Sequence, residues 1–391
     1  VIMRCFWFFI MAIITPSLEA RVPLAGEISH ESIQEPENDH EWVHHRTRFY
    51  AGFKSESQAL EQADLFWGYE VSGFFLHDDA LRGQDRDEFR WDNLQLSLFK
   101  DIFSLRMGWQ TVHWGETLGP SLLDLINPRD LRDPSDWLQS NRKLAVPLLL
   151  FAISKDKATF EVWSSPASSQ GLLPDFWQGV PVEIVGRKVQ HDFGLRLGQR
   201  WAGWDLKFQA LQHEARIPAL VFSLQAFEPM IQASFPRQTS YGLSLSQAWD
   251  NIVLRSEVLH ARSEEIPVQN LMDFAENQAV VGIDGNWGEH FFWGTELRAS
   301  QQKSMRPIDE HVQWLIVQGR WNFFDDRLKP LIYLTQRLDA RDAYQRYELA
   351  HDILPSLKLS ANWEAFQSDG KGLFARLEAA DRLGLGLRWE F

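Results

Sequence analysis

The residues best placed to do chemistry cluster between positions 106 and 134. Arg106-Met107-Gly108-Trp109-Gln110 reads as a strand whose alternate positions send Arg106 and Gln110 to one polar side. The chain then passes through His113 and Trp114-Gly115-Glu116 into Ile126-Asn127-Pro128-Arg129-Asp130. Cations, carboxylates, an imidazole and amides gathered like this could sort solutes by charge at a constriction. They could equally form a buried network that only holds a long loop in place, because buried charges need partners whatever their role. The sequence leaves both readings open for Arg106, Gln110, His113, Glu116, Asn127, Arg129 and Asp130.

Covalent chemistry has less to stand on. His113, His191, His213, His260, His290 and His311 are scattered, and no serine sits in a Gly-x-Ser-x-Gly turn, so a hydrolase is the weaker reading and no enzyme is expected. No His or carboxylate spacing suggests a metal site. Gly384-x-Gly386 has no helix behind it and cannot cradle a phosphate. No cofactor is expected.

The elements that must position these residues are strands. In Leu383-Gly384-Leu385-Gly386-Leu387-Arg388-Trp389-Glu390-Phe391 every second residue is apolar, and the stretch ends on an aromatic. The figure recurs. Leu94, Leu96 and Leu98 oppose Gln95 and Ser97; Phe103, Leu105, Met107 and Trp109 follow after the turn at Lys100-Asp101. Phe193, Leu195 and Leu197, then Trp204, Leu206 and Phe208, then Tyr241, Leu243 and Leu245 repeat it, as do Leu357, Leu359, Ala361 and Trp363. A soluble barrel would put such a face inside, so alternation alone does not settle which side meets what.

Two further features choose. Trp201, Trp204, Trp249, Trp287, Trp321, Phe323, Phe324, Trp389 and Phe391 lie beside short turns, where a membrane barrel carries its aromatic girdle. The other connections, 78–87, 114–142, 166–187, 215–237, 264–273, 303–309 and 369–380, are longer and polar. Short turns at one end and long loops at the other predict an all-β, antiparallel, up-and-down transmembrane barrel of about sixteen strands (16–18). That tally runs from Gln62 to Phe391. Residues 44–55 also look extended and would make the count odd, unless that segment packs elsewhere or part of 217–236 pairs as well. Trp314, Ile316 and Leu334 beside Leu315, Val317 and Ile332 make both faces apolar, so something inside the barrel must cover them. Arg196, Arg200, Lys207, Glu296 and Arg298 would then line a solvated lumen, with Arg196, Glu296 and Arg298 as further candidates for the constriction.

Composition agrees. The 391 residues carry 53 acidic against 39 basic side chains, a net charge of −14, which argues against a nucleic-acid partner held by phosphate attraction. Eighteen Trp and 27 Phe sit in a chain whose mean hydropathy is only −0.30, a combination that suits a barrel where alternate residues meet lipid. Residues 1–20, with Arg4, the apolar run Cys5 to Ile14 and Leu18-Glu19-Ala20, read as a secretory signal peptide. Residues 21–43 read as a polar lead-in without periodicity, and 44–391 as the barrel with the inserted loop 114–142. The only cysteine, Cys5, lies in the signal segment, so no disulfide is expected.

The stretch Gly108 and Gln110, Trp114-Gly115-Glu116, Ile126-Asn127-Pro128 with Asp130, and Val146-Pro147 resembles a family of largely uncharacterised proteobacterial outer-membrane proteins. Their pattern is Gly-Arg-Gln, Trp-Gly-Glu, Ile-Asn-Pro-x-Asp and Val-Pro; here Trp109 replaces the Arg. The close match covers about fifty residues. The resemblance implies a single barrel in the outer membrane of a Gram-negative bacterium. It also suggests a part in moving lipid-like or other poorly soluble molecules, alongside an inner-membrane transporter. The expected partners are outer-membrane lipid and, through the strand ending at Phe391, the barrel-assembly machinery. The expected function is a porin-like channel or export conduit, with a structural or binding barrel as the alternative.

Overall fold

The computed structural model describes residues 24–34, 42–60, 65–80, 84–132, 143–166, 171–173, 176–177, 180–185, 191–216, 218–225, 228–266, 271–303, 310–368 and 381–391. The signal-peptide reading and the loop 369–380 lie outside them.

Among the described residues, twenty-two strands follow in chain order. The first seven are β1 (Leu24–Gln34), β2 (Trp42–Leu60), β3 (Leu65–Ala80), β4 (Gln84–Lys100), β5 (Phe103–Gln110), β6 (Val146–Lys155) and β7 (Ala158–Ser165). Next come β8 (Phe176–Trp177), β9 (Val180–Ile184), β10 (Asp192–Trp201), β11 (Trp204–Glu214), β12 (Ala219–Gln225), β13 (Glu228–Ser234), β14 (Arg237–Trp249) and β15 (Ile252–Ile266). The last seven are β16 (Leu271–Trp287), β17 (Phe291–Lys303), β18 (Glu310–Trp321), β19 (Leu328–Arg337), β20 (Ala343–Leu354), β21 (Leu357–Gln367) and β22 (Arg382–Glu390).

Eighteen of them form one antiparallel sheet that closes when β22 pairs with β1, from Glu27 opposite Glu390 to Gln34 opposite Leu383. The main-chain bonds Gly26 N–H to Phe391 O (2.9 Å) and Phe391 N–H to Gly26 O (3.0 Å) complete the seam. Closure leaves no unpaired edge, the condition for a sheet to sit in hydrocarbon. The four short strands β8, β9, β12 and β13 make a separate small sheet and stay out of the wall.

The strand count needs one correction. Sixteen wall strands do lie between Leu65 and Phe391, but β1 and β2 add two more. Residues 24–34 are therefore a wall strand and no lead-in. Their side chains lack an apolar period because Glu27, Ser29 and Glu31 alternate with Ile28, His30 and Ser32, so both faces are polar over most of the strand. The segment at 44–55 belongs to β2, and 219–234 pairs with itself in the small sheet. The connection expected at 78–87 is mostly strand: β3 and β4 stay paired as far as Ala80 opposite Gln84. Likewise, β15 and β16 continue to Ile266 opposite Leu271.

Register assigns the faces. Leu94, Met107, Leu149, Leu197, Phe208, Leu243, Val258, Val281 and Leu297 share the outer face, and most are exposed there. Leu385, Leu387 and Trp363 are also exposed on that face. Trp201, Trp287 and Phe324, beside the short turns, are 68%, 78% and 75% exposed. An outer surface this apolar fits lipid rather than water. The inner face carries Glu70, Gln95, Arg106, Arg196, Lys207, Glu257, Glu296, Arg346 and Glu364.

Candidate functional site

Two stretches of the inner face are apolar, and they mark where the long loop lies. Val146, Leu148 and Leu150 on β6, Trp163 on β7 and Leu211 on β11 are buried together with Val112, Trp114 and Ile126 of the loop. Trp114 meets Trp163 edge to face, with centroids 6.4 Å apart. Ile316 on β18 is the second stretch; a side chain at loop residue Gly119 would press against it. The two-sided apolar pattern around 314–317 thus has its cover, and Trp314 packs on the Tyr344–Phe366 cluster. Leu334 belongs to the outer face with Val317.

The loop leaves the wall at Gln110 and crosses the lumen. Its tip ends on β15 and β17, the latter eight strands further round (β6, β7, β10, β11, β14, β15, β16, β17) in a wall of eighteen. Two glutamates receive it. Glu257, 0% exposed, accepts from Glu116 N–H (2.9 Å), Leu122 N–H (2.9 Å) and the Ser121 hydroxyl (2.8 and 2.9 Å). Glu296, 1% exposed, accepts from the N–H groups of Leu118 and Gly119 (3.2 Å for the latter). A backbone turn presents donors that need an acceptor, and a carboxylate supplies several at once. Inward glycines make room: a Cβ at Gly242 would overlap Leu123, and one at Gly294 would overlap Leu118.

The flanks are held as firmly. Asn127, wholly buried, accepts from Val112 N–H (2.7 Å) and donates to Gln110 O (3.0 Å) and Leu144 O (2.8 Å). Gln110 donates to Leu148 O at 3.1 Å. Arg216 donates to Leu125 O and Ile126 O (2.6 and 2.7 Å) and pairs with Asp192, which also holds Arg237. Arg196 lies 5.2 Å over the Trp114 ring, donates to Trp114 O and pairs with Glu161. Lys207 holds Glu116, and Lys143 holds Asp124. Asp130 takes Arg90 (3.0 Å) and Arg132 (2.5 Å), both of which also bond Glu88. Arg298 bonds Pro120 O and Glu296.

Most of the residues singled out in the sequence are therefore part of the network that fixes the loop. Gln110, Glu116, Asn127, Asp130, Arg196, Glu296 and Arg298 all do this. His113 is mainly exposed and takes a hydrogen bond from Lys143 (2.7 Å); burial first, then Lys143, hold its pKa below the ordinary imidazole value. It is neutral at pH 7 and adds no charge to a passage there. Arg106 and Arg129 are different: among the described residues, neither guanidinium has a hydrogen-bond or ion-pair partner. Glu257, Ser121, Asp124, Lys143, Arg216 and Gln209, which donates to Leu123 O (2.8 Å), are the members that sequence reading missed. Nothing local marks Glu257, which is one more polar position in an alternating strand.

Eighteen closed antiparallel strands around an inward loop decide the fold class. This is the architecture of outer-membrane barrels. OmpT, an outer membrane protein of Vibrio cholerae folded in vitro, matches with a TM-score of 0.53 at 10% identity, over 96% of this chain and 99% of that one. Its trimer form gives 0.51 at 9% identity, over 95% and 99%. Salmonella typhi OmpF in complex with daunomycin gives 0.49 at 10% identity, over 95% and 97%. No protein-family model matches the sequence, and no curated protein matches it. At such identities what is shared is the fold.

The geometry also bears on covalent chemistry. His213 Nε2 lies 2.9 Å from Ser240 Oγ, the one such pairing among the candidate histidines in the described residues. Both side chains are wholly buried, and His213 Nδ1 faces Glu214 O. No substrate could reach that hydroxyl, so the pair holds β11 to β14. Among the described residues no group of three or more His, Cys, Asp or Glu could hold a metal.

Proposed function

We propose that this protein is a passive channel of the outer membrane, porin-like, with a lumen narrowed at mid-height by the loop that starts at Thr111. The observation that carries the reading is the loop tip, drawn across the interior and fastened to Glu257 and Glu296. A structural barrel would gain little from a polar interior partly obstructed by a dedicated loop. Below the tip, Glu116, Thr117, Asp205, Ser246 and Arg255 line an open polar cavity, a vestibule on the short-turn side. Diffusion through such a passage needs no covalent step.

The lining favours small hydrophilic solutes. Arg48–Asp92, Arg255–Asp284, Lys329–Asp352, Arg346–Glu348 and Lys358–Glu390 place ion pairs along the inner wall. A lipid-like cargo, and the link to an inner-membrane transporter, rest on the sequence resemblance alone. The barrel-assembly machinery would engage β22, which is followed by Phe391 at the closing seam.

The test is conductance in planar bilayers. Wild-type protein should give stable steps, and the double variant Glu257→Ala/Glu296→Ala, which frees the tip, should give larger ones. If neither protein passes ions or solutes, the channel reading fails. A sealed wild type that opens only when the tip is freed would favour the binding or structural barrel instead.

A further inference from the structure

Among the described residues, Arg129 is the one arginine or lysine of the loop with no counter-charge in view. Its main chain is fixed on both sides, bridged to Lys143 and bonded through its carbonyl to Leu172 N–H (3.1 Å). Its neighbours are spoken for: Asp130 is committed to Arg90 and Arg132, and Asp124 to Lys143. Among the described residues no acceptor bonds the Arg129 guanidinium. Burial, and after it the positive charge of Arg298, lower its pKa to about 10. Arg298 itself uses one amino group on Pro120 O and the other on Glu296, and its Nε is buried without a partner.

A partly buried cation without a counter-charge is a costly arrangement unless something neutralises it. Arg129 is only half-buried, so a solute in the lumen can still reach it. A guanidinium offers a planar pair of donors that fits the two oxygens of a carboxylate or a phosphate. Resting on the channel reading above, we infer that Arg129 is a binding subsite for the oxyanion group of a small solute at the constriction. The acidic balance of the whole chain disfavours anions in general, which makes a local subsite of this kind the feature that would admit them.

The test is calorimetric titration of the detergent-solubilised barrel with inorganic phosphate and with succinate at constant ionic strength. Wild type should bind one or both saturably. Arg129→Gln should weaken that binding about tenfold or more, the size expected for loss of a charge-assisted pair. Arg106→Gln, which removes another inward guanidinium without a partner among the described residues, should leave it nearly unchanged. Binding of phosphate alone assigns a phosphate ester, and binding of succinate alone a carboxylate. Absence of saturable binding in wild type, or equal affinity in Arg129→Gln, overturns the inference. Heat-dependent mobility in detergent gels confirms that each variant is folded. In bilayers under a salt gradient, Arg129→Gln should shift the reversal potential toward cations. A conducting channel with unshifted selectivity and unchanged binding sinks the subsite and spares the channel; binding without conductance does the reverse.

Discussion

At the scale of single residues, the interior is organised by charges that have no water to fall back on. Asp124 and Lys143 are both nearly inaccessible and face each other through Asp124 Oδ2, while Asp124 Oδ1 has no hydrogen-bond partner. Removing one charge of such a pair strands the other. Asp124→Ala should therefore cost about 3–5 kcal/mol, whereas replacing both residues by apolar ones of similar size should cost far less. Thermal unfolding by circular dichroism of the single and double variants would show it. His113 gives a pH signature. The folded loop resists its protonation, while the unfolded chain takes up the proton near the ordinary value of 6.5. Stability should then fall as pH drops through 6.5 and level off once the depressed folded value is passed. Comparing melts at pH 7 and pH 5.5, His113→Gln should show a smaller loss than wild type; identical losses would remove His113 from the account.

At the scale of elements, the wall and the loop make different demands on sequence. A wall strand needs alternation, and the lipid side sets the penalty for breaking it. Leu385 is exposed on the outer face near the middle of β22, so Leu385→Arg should cost about 2–4 kcal/mol, measured by reversible unfolding in bilayers. An equal cost at Ser360, which faces inward, would mean the faces have been assigned wrongly. The strand β6 departs from alternation because both of its sides are covered, one by lipid and the other by the loop's Trp114 and Ile126. Its run Val146-Pro147-Leu148-Leu149-Leu150 is the local sign that something lies inside the barrel. The loop follows no period at all; its shape comes from glutamates and arginines supplied by strands remote in sequence, such as Glu257 for Ser121 and Arg216 for Leu125.

At the scale of the whole molecule, the short turns and aromatic residues gather at one end, the longer connections and the small sheet at the other, and the loop divides the lumen between them. The freed-tip experiment belongs here, because the conductance of wild type against Glu257→Ala/Glu296→Ala reports on the passage as a whole. Alternation, the girdle and the strand ending at Phe391 were enough to specify a membrane barrel, since each is a local pattern with a direct physical cause in the two-faced environment of a strand. The wall strand at 24–34 escaped notice because its alternation is polar on both sides. The sequence also singled out the stretch 106–134, but could not divide it into charges that brace the loop and charges left without a partner. That division depends on which acceptors the opposite wall brings within 3 Å, a matter of chain closure and register across more than a hundred residues. Only the tertiary structure could decide that Asn127, Asp130 and Glu296 are held by neighbours while Arg129 is left without a counter-charge.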